Sequence, residues 1–179
     1  MSIKKVVVGV TGGIAAYKSA YLVRGLKKQG IEVRVIMTPA SKQFIGPLTL
    51  STLSKNSVLS EFQTDDGNWN DHVELGRWAD LLIIAPATAN TIGKMANGLC
   101  DNLLLAVYLS AKCPVAIAPA MDLDMYAHPS VKQNLRILKE SGVYQIGPEA
   151  GELASGLEGP GRMTEPEKII STLLEHYGQ

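Results

Sequence analysis

The chain has 179 residues, 46% of them hydrophobic and 19% charged, with a mean hydropathy of +0.08. That length suits one compact domain spanning residues 1–179, and the composition excludes a disordered chain. Seventeen Lys and Arg balance seventeen Asp and Glu, so the field that draws nucleic acid is missing, and no apolar run approaches the roughly 18 residues of a membrane span.

Lys5–Val10 (KVVVGV) is a short apolar, β-branched run, as expected of a strand buried on both faces. Thr11-Gly12-Gly13 breaks it, Ile14 to Gln29 shows helical spacing, and Gly30 stands where a helix C-cap belongs. Ile31–Met37 is a second strand, which completes a βαβ unit. Ser41–Ile45 and Pro47–Ser54 read as short helices, Val58–Leu59 as a brief strand, and Thr64–Asp71 as a polar loop. Val73–Ala79 makes one or two helical turns before Leu81–Ala85, the clearest strand of the chain. Thr88–Ala96 and Asn102–Ala111 read as helices and Val115–Ala118 as a buried strand. Pro129 opens a helix to Glu140, Val143–Ile146 is a last short strand, and Gly147–Arg162 is a long Gly-rich loop. Pro166 opens a closing helix to about Tyr177. The alternation predicts an α/β fold, Rossmann-like, with three α/β/α layers and a parallel sheet of about six strands.

Ligands of such sheets sit beyond the C-terminal strand ends. The loops there are Thr11–Ile14, Thr38–Phe44, Pro86–Asn90 and Pro119–Tyr126, with Gly147–Arg162 as a further candidate. Thr11-Gly12-Gly13-Ile14 lets backbone N–H groups approach an anion at a helix start, although it reads equally as a tight turn and is not the G-x-G-x-x-G fingerprint. Thr38, Ser41 and Thr88 add hydroxyls, which suit a phosphate held by neutral donors or ordinary capping. His72 can act as a general base near neutral pH or simply cap a helix; His128 and His176 stand at helix ends. No cluster has metal-ligand spacing. Cys100 and Cys113 form no disulfide framework, and Met1–Lys5 runs straight into a strand pattern with no signal peptide, so a reduced, cytoplasmic protein is expected.

Taken in order, several segments resemble the homo-oligomeric flavin-containing cysteine decarboxylases, phosphopantothenoylcysteine decarboxylases in particular. They are Gly12–Lys18 (GGIAAYK), Asp71–Leu75 (DHVEL), Ala85–Lys94 (APATANTIGK), Gly98–Leu104 (GLCDNLL), Pro119–Tyr126 (PAMDLDMY) and Gly159–Met163 (GPGRM). The resemblance covers almost the whole chain. It implies bound FMN touched by Gly13, Ile14, Thr38, Ser41, Ala87, Thr88, Ala89, Asn90 and Ala120. It implies His72 and Ser155 as catalytic positions, and substrate contacts from Asp122, Met125, Ala154, Arg162 and Met163. It further implies homotrimers, or dodecamers of trimers, with flavin and substrate between subunits, and in many bacterial relatives a fused phosphopantothenate–cysteine ligase.

Two positions depart from the family pattern. Asp122 stands where the family carries Asn, and Ser155 where a proton-donating Cys is expected in a flexible substrate clamp. A serine hydroxyl is a poor proton donor, so slow reduction of the intermediate is expected, and Cys100 is expected to be packed in another loop. The leading expectation is FMN-dependent decarboxylation of 4′-phospho-N-pantothenoylcysteine to 4′-phosphopantetheine for coenzyme A. Gly159–Met163 favours it over oxidative decarboxylation of peptidyl cysteine that stops at the enethiol. His72 argues against a non-catalytic, flavin-binding regulator.

Overall fold

Six parallel strands form the centre of the protein in a computed structural model that describes residues 3–63 and 67–178. The first apolar run is β1 (Lys5–Val10), flanked by β2 (Glu32–Met37) and β4 (Leu81–Ala87). β3 (Val58–Leu59) closes one edge; β5 (Val115–Pro119) and β6 (Tyr144–Gln145) close the other. The order is β3-β2-β1-β4-β5-β6, with Val8 opposite both Val35 and Ile83. This is the α/β/α sheet that the sequence predicts.

Both faces of the sheet are buried, which is why its strands are apolar without alternation. Val6, Val8 and Val10 enter one core with Leu22 and Leu26 of α1 (Lys18–Lys28), Leu50 of α2 (Pro47–Ser54) and Ile169 and Leu173 of α8 (Pro166–Tyr177). Val7 enters the other with Leu75 of α3 (His72–Trp78), Ile92 of α4 (Ala89–Ala96), Leu103–Leu105 of α5 (Leu103–Ser110) and Leu135 of α7 (Pro129–Glu140). Gly9 is what lets α5 approach so closely, since a Cβ there would stand 2.5 Å from Leu104 Cδ1. Five successive α5 residues, Leu103 to Val107, are buried, so only Leu109 leaves a large apolar side chain well exposed on this helix.

Several elements differ from the sequence reading. The helix expected from Ile14 starts as a 3-10 turn, Ile14–Tyr17, because Gly13 has no side chain to cap an α-helix. The helix expected at Ser41–Ile45 is a 3-10 turn over Pro39–Gln43, started by Pro39. Leu123–Ala127 forms a short helix, α6, that the reading did not include. The Gly147–Arg162 loop is in fact an antiparallel hairpin, β7 (Glu149–Glu152) with β8 (Glu158–Arg162). Its glycines and proline erased the strand signal. Of the Thr64–Asp71 loop, residues 64–66 lie outside the described residues, and Trp69 bridges back to Gln63.

Candidate functional site

The strand order reverses between β1 and β4, and the crevice at that switch point is the natural ligand seat of an open parallel sheet. Side-chain hydroxyls fix the two strand ends. Thr11 Oγ1 donates to Pro86 O at 2.6 Å and accepts from Thr88 N at 3.2 Å, while Ser19 Oγ donates to Ala85 O at 2.8 Å. Beside them opens a cavity of about 940 Å³.

Part of the cavity wall is a cradle of neutral donors. Gly13 and Ile14 follow β1, Thr38 follows β2, and Thr88, Ala89 and Asn90 follow β4; all line the wall. The N–H groups of Gly12 and Gly13 have no acceptor among the described residues. Thr88 caps α4, which brings further first-turn N–H groups to the same place. Thr38 is 7% exposed, yet its Oγ1 has no hydrogen-bond partner. A buried hydroxyl without a partner is costly, and a ligand oxygen would relieve it. The cradle therefore fits an anionic group such as a phosphate.

The same cavity is lined by Ala120, Met121, Asp122 and Met125 around the start of α6, with Ala154, Arg162 and Met163 from the hairpin and its base. The hairpin docks through Met121 N donating to Gly161 O at 3.0 Å. Only glycine fits at 161, where φ is +153° and a Cβ would meet Met121 O at 2.3 Å. Beneath it, Lys18 is 5% exposed and donates from Nζ to Met163 O and to Glu165 Oε1, both at 2.9 Å. Arg162 donates to the same Glu165 oxygen at 2.7 Å.

Four expected positions lie off this wall. Ser41 is fully buried and donates from Oγ to Thr38 O at 2.7 Å, bracing the cradle from behind. Ala87 is buried in β4, its carbonyl accepting from Ala120 N. Ser155 is exposed in the hairpin turn, where Oγ accepts from Leu157 N at 3.4 Å. His72 begins α3 behind the Asp71 N-cap, edge-on to Phe62 and Trp69 at centroid distances of 6.2 and 6.1 Å. Its buried Nδ1 has no partner, and it does not line the cavity of its own chain. Cys100 is exposed rather than packed, because Gly98–Asn102 is a surface connection between α4 and α5. His128 caps α7 through Nδ1.

The sequence reading assigned no role to Lys18 or Glu165. A lysine in the first turn of a helix opposes the helix dipole, and that was the available signal.

The Glu165 carboxyl is held below the ordinary carboxylate range, first by its hydrogen bond from Lys18 and then by Arg162. A lowered folded value means stability that is full above the unfolded pKa and lost as pH falls through the folded one. The side chain is 44% exposed, so solvent screens much of the effect. Glu165→Gln is therefore expected to move the urea midpoint little at pH 7. It is expected to flatten the loss of stability below about pH 4.5. Urea titrations across pH 3–7 check this, and parallel profiles for the two proteins would overturn it.

Among the described residues, no group of three or more His, Cys, Asp and Glu could hold a metal ion, and no helix is long and apolar enough to cross a membrane. A model of the flavoprotein family matches residues 1–178. A cysteine/cysteine sulfinic acid decarboxylase from an unknown prokaryotic organism is 61% identical over 136 residues, covering 75% of this chain and 38% of that protein. The coenzyme A biosynthesis bifunctional protein CoaBC of Bacillus subtilis is 43% identical over 177 residues, 98% of this chain and 44% of that protein. The chain thus spans less than half the length of these curated relatives. A mutant PPC decarboxylase complexed with pantothenoylaminoethenethiol superposes with a TM-score of 0.88 at 36% identity, covering 99% of this chain and all of that one.

Proposed function

The chain belongs to the flavoprotein family, and we propose that it is an FMN-dependent decarboxylase converting 4′-phospho-N-pantothenoylcysteine to 4′-phosphopantetheine. The observation that carries this reading is the switch-point cavity. Its wall combines a cradle of neutral donors that fits a phosphate with Met121, Asp122, Met125, Ala154, Arg162 and Met163, and it leaves room for a flavin with part of a substrate. The similarity to CoaBC and to PPC decarboxylase supports it.

Gly13, Ile14, Thr38, Thr88, Ala89 and Asn90 would hold the flavin by its phosphate end, with Ser41 and Ala87 supporting them from behind. Bound flavin supplies a reversible acceptor for a hydride and its electrons. The substrate's CH2–SH group would be oxidised in place to a thioaldehyde, a hydride going from Cβ to that acceptor and a proton leaving sulfur. The Cα–carboxylate bond then breaks to give carbon dioxide and an enethiolate. Return of the hydride with two protons, one to carbon and one to sulfur, would give the product thiol. Arg162, Met163, Ala154, Met125 and Asp122 would enclose the substrate, and the hairpin would shield it from water. Ser155, at the hairpin turn, would reach it only when the hairpin folds down.

His72 is the proposed base, and because it does not line the cavity of its own chain we place it in the site of a neighbouring copy. Two apolar patches support a head-to-tail ring. Ile14, Tyr17, Tyr21, Phe44 and Leu48 are exposed on helical segments following β1 and β2; Trp69, Val73 and Leu109 are exposed on the side that carries His72. A patch that meets a different patch makes a ring when the rotation closes. We therefore propose a homotrimer, alone or within a dodecamer, with a phosphopantothenate–cysteine ligase as its fused or separate partner in a reducing, cytoplasmic compartment.

The gently purified protein is expected to be yellow, with about one FMN per chain and a mass by light scattering of roughly three times the 19.2 kDa of one chain or a multiple of that. Incubation with 4′-phospho-N-pantothenoylcysteine should release carbon dioxide and 4′-phosphopantetheine. Absence of flavin, or a flavin-loaded monomer that turns over, would defeat the respective parts of this reading.

A second reading, decarboxylation of free cysteine, is favoured by the relative that is 61% identical and named for cysteine and cysteine sulfinic acid.

A further inference from the structure

A histidine that moves protons is usually oriented by a carboxylate or carbonyl hydrogen-bonded to its other ring nitrogen. His72 has no such support among the described residues, since its Nδ1 is buried without a hydrogen-bond partner. What meets the ring instead is aromatic. Phe62 and Trp69 stack on each other with centroids 5.8 Å apart and planes at 23°. The imidazole stands across both, 6.2 Å from Phe62 at 86° and 6.1 Å from Trp69 at 71°. Near-perpendicular contact at such distances is a favoured arrangement of ring systems, because a positive edge meets a negative face.

The stacked pair is held in place from the backbone. Phe62 is partly buried and packs against the core on the α3 side of the sheet. Trp69 is 63% exposed, so burial alone does not explain its position. Gln63 and Trp69 form an antiparallel bridge. Asn70 N donates to Phe62 O at 2.8 Å, and Asn70 Nδ2 donates to Glu61 O at 2.7 Å. These bonds tie residues 61–63 to residues 69–70, directly before the Asp71 N-cap and His72. Asp71 fixes the start of α3, and with it the His72 backbone. The two rings restrict the side chain. Neither ring lines the cavity of its own chain.

We propose that Trp69, stacked on Phe62, is the positioning residue of His72 and holds the imidazole ready to take a proton in the site of a neighbouring copy. The proposal rests on the reading of His72 as the base. With Nδ1 closed off, proton exchange falls to Nε2. Without the indole, the imidazole turns more freely about its two side-chain torsions, and a smaller share of its orientations meets the substrate. Trp69 takes no part in proton or electron transfer and acts through His72 alone.

The test uses the flavin-loaded wild-type protein, Trp69→Leu, Trp69→Phe, and Trp69→Leu combined with His72→Asn. Decarboxylation of 4′-phospho-N-pantothenoylcysteine is followed together with flavin content and mass by light scattering. In Trp69→Leu, kcat is expected to fall about three- to tenfold with KM level, the usual worth of an aromatic contact that serves orientation. Trp69→Phe keeps a ring against the imidazole and is expected to stay within about twofold of wild type. Added to His72→Asn, Trp69→Leu should lower the residual rate no further, because the side chain it acts through is gone. A further fall of equal size overturns the proposal. A rise in KM at constant kcat also overturns it, making Trp69 a substrate contact. So does a loss of turnover that follows a loss of mass, which makes Trp69 a subunit contact only. A second arm needs no turnover. With histidine labelled at Cε1, the His72 resonance is identified by its absence in His72→Asn. It is expected to be displaced by the two ring currents from that of free histidine at the same pH, and to return towards it in Trp69→Leu. An undisplaced wild-type resonance overturns the proposal even if Trp69→Leu fails to fold. Absence of carbon dioxide from the wild-type protein defeats the decarboxylase reading instead, and the resonance then decides whether the rings hold His72.

Discussion

Replacing His72 by Asn is expected to leave fold and flavin binding intact and to lower decarboxylation about 10²- to 10⁴-fold, the usual worth of a positioned acid–base group. The structural change is small because His72 is the first residue of α3 and its ring nitrogen Nδ1 has no hydrogen bond to lose. The N-cap bonds of that helix come from Asp71 to Val73 N and Glu74 N, at 2.8 and 3.1 Å, and are untouched. The flavin cradle is made by other loops. Carbon dioxide release, flavin absorbance and circular dichroism together check this. Unchanged turnover would reduce His72 to a packing partner of Phe62 and Trp69. A mixing experiment then asks whether the histidine acts across subunits. His72→Asn chains are co-refolded with Gly13→Val chains, whose branched side chain would crowd Thr88 in the cradle. With equal mixing, about a quarter of the sites would pair an intact cradle with an intact His72, and activity should return to that level. No recovery would place the histidine's action within its own chain.

Lys18→Met should produce the largest loss of stability at the site. The aliphatic stem is replaced at similar volume, so the change isolates the ammonium. Its loss leaves the Met163 carbonyl without its donor beneath the hairpin and removes one of two cations from Glu165. Glu165 keeps Arg162 and much of its solvent contact, so the penalty falls short of that for an orphaned buried charge. About 1–3 kcal/mol is expected, mostly from the stranded carbonyl. Urea unfolding measures it. Limited proteolysis should show faster cutting near Leu153–Leu157, because the hairpin has lost its anchor. A variant with unchanged midpoint and unchanged cutting would show that the bond to Met163 contributes nothing net.

These expectations also separate what was legible along the chain from what was not. The runs Lys5–Val10, Leu81–Ala85 and Val115–Ala118 are apolar because both sheet faces are covered, and that burial is written locally as β-branched residues between turn signals. The loops after β1, β2 and β4 could be placed together from topology alone, since parallel strands put their C-terminal ends on one edge. Gly13, Thr38 and Thr88 are therefore legible in the sequence as one loop cluster, and all three line the cavity. The hairpin over residues 149–162 was not found, because strands rich in Gly and Pro carry no period-2 pattern, and their pairing is stabilised by docking on Met121 and Leu123. Lys18 and Glu165 are 147 positions apart, and no local propensity links a lysine in one helix to the residue before another. Likewise the sequence shows that Lys18, Lys94 and Arg162 are cations, but only the packing shows that all three line one cavity, each already paired with a carboxylate. Local burial and turn chemistry set the scaffold and the cradle. The pairing of distant charges, which depends on three-dimensional distance, decided which groups stay free to meet a substrate.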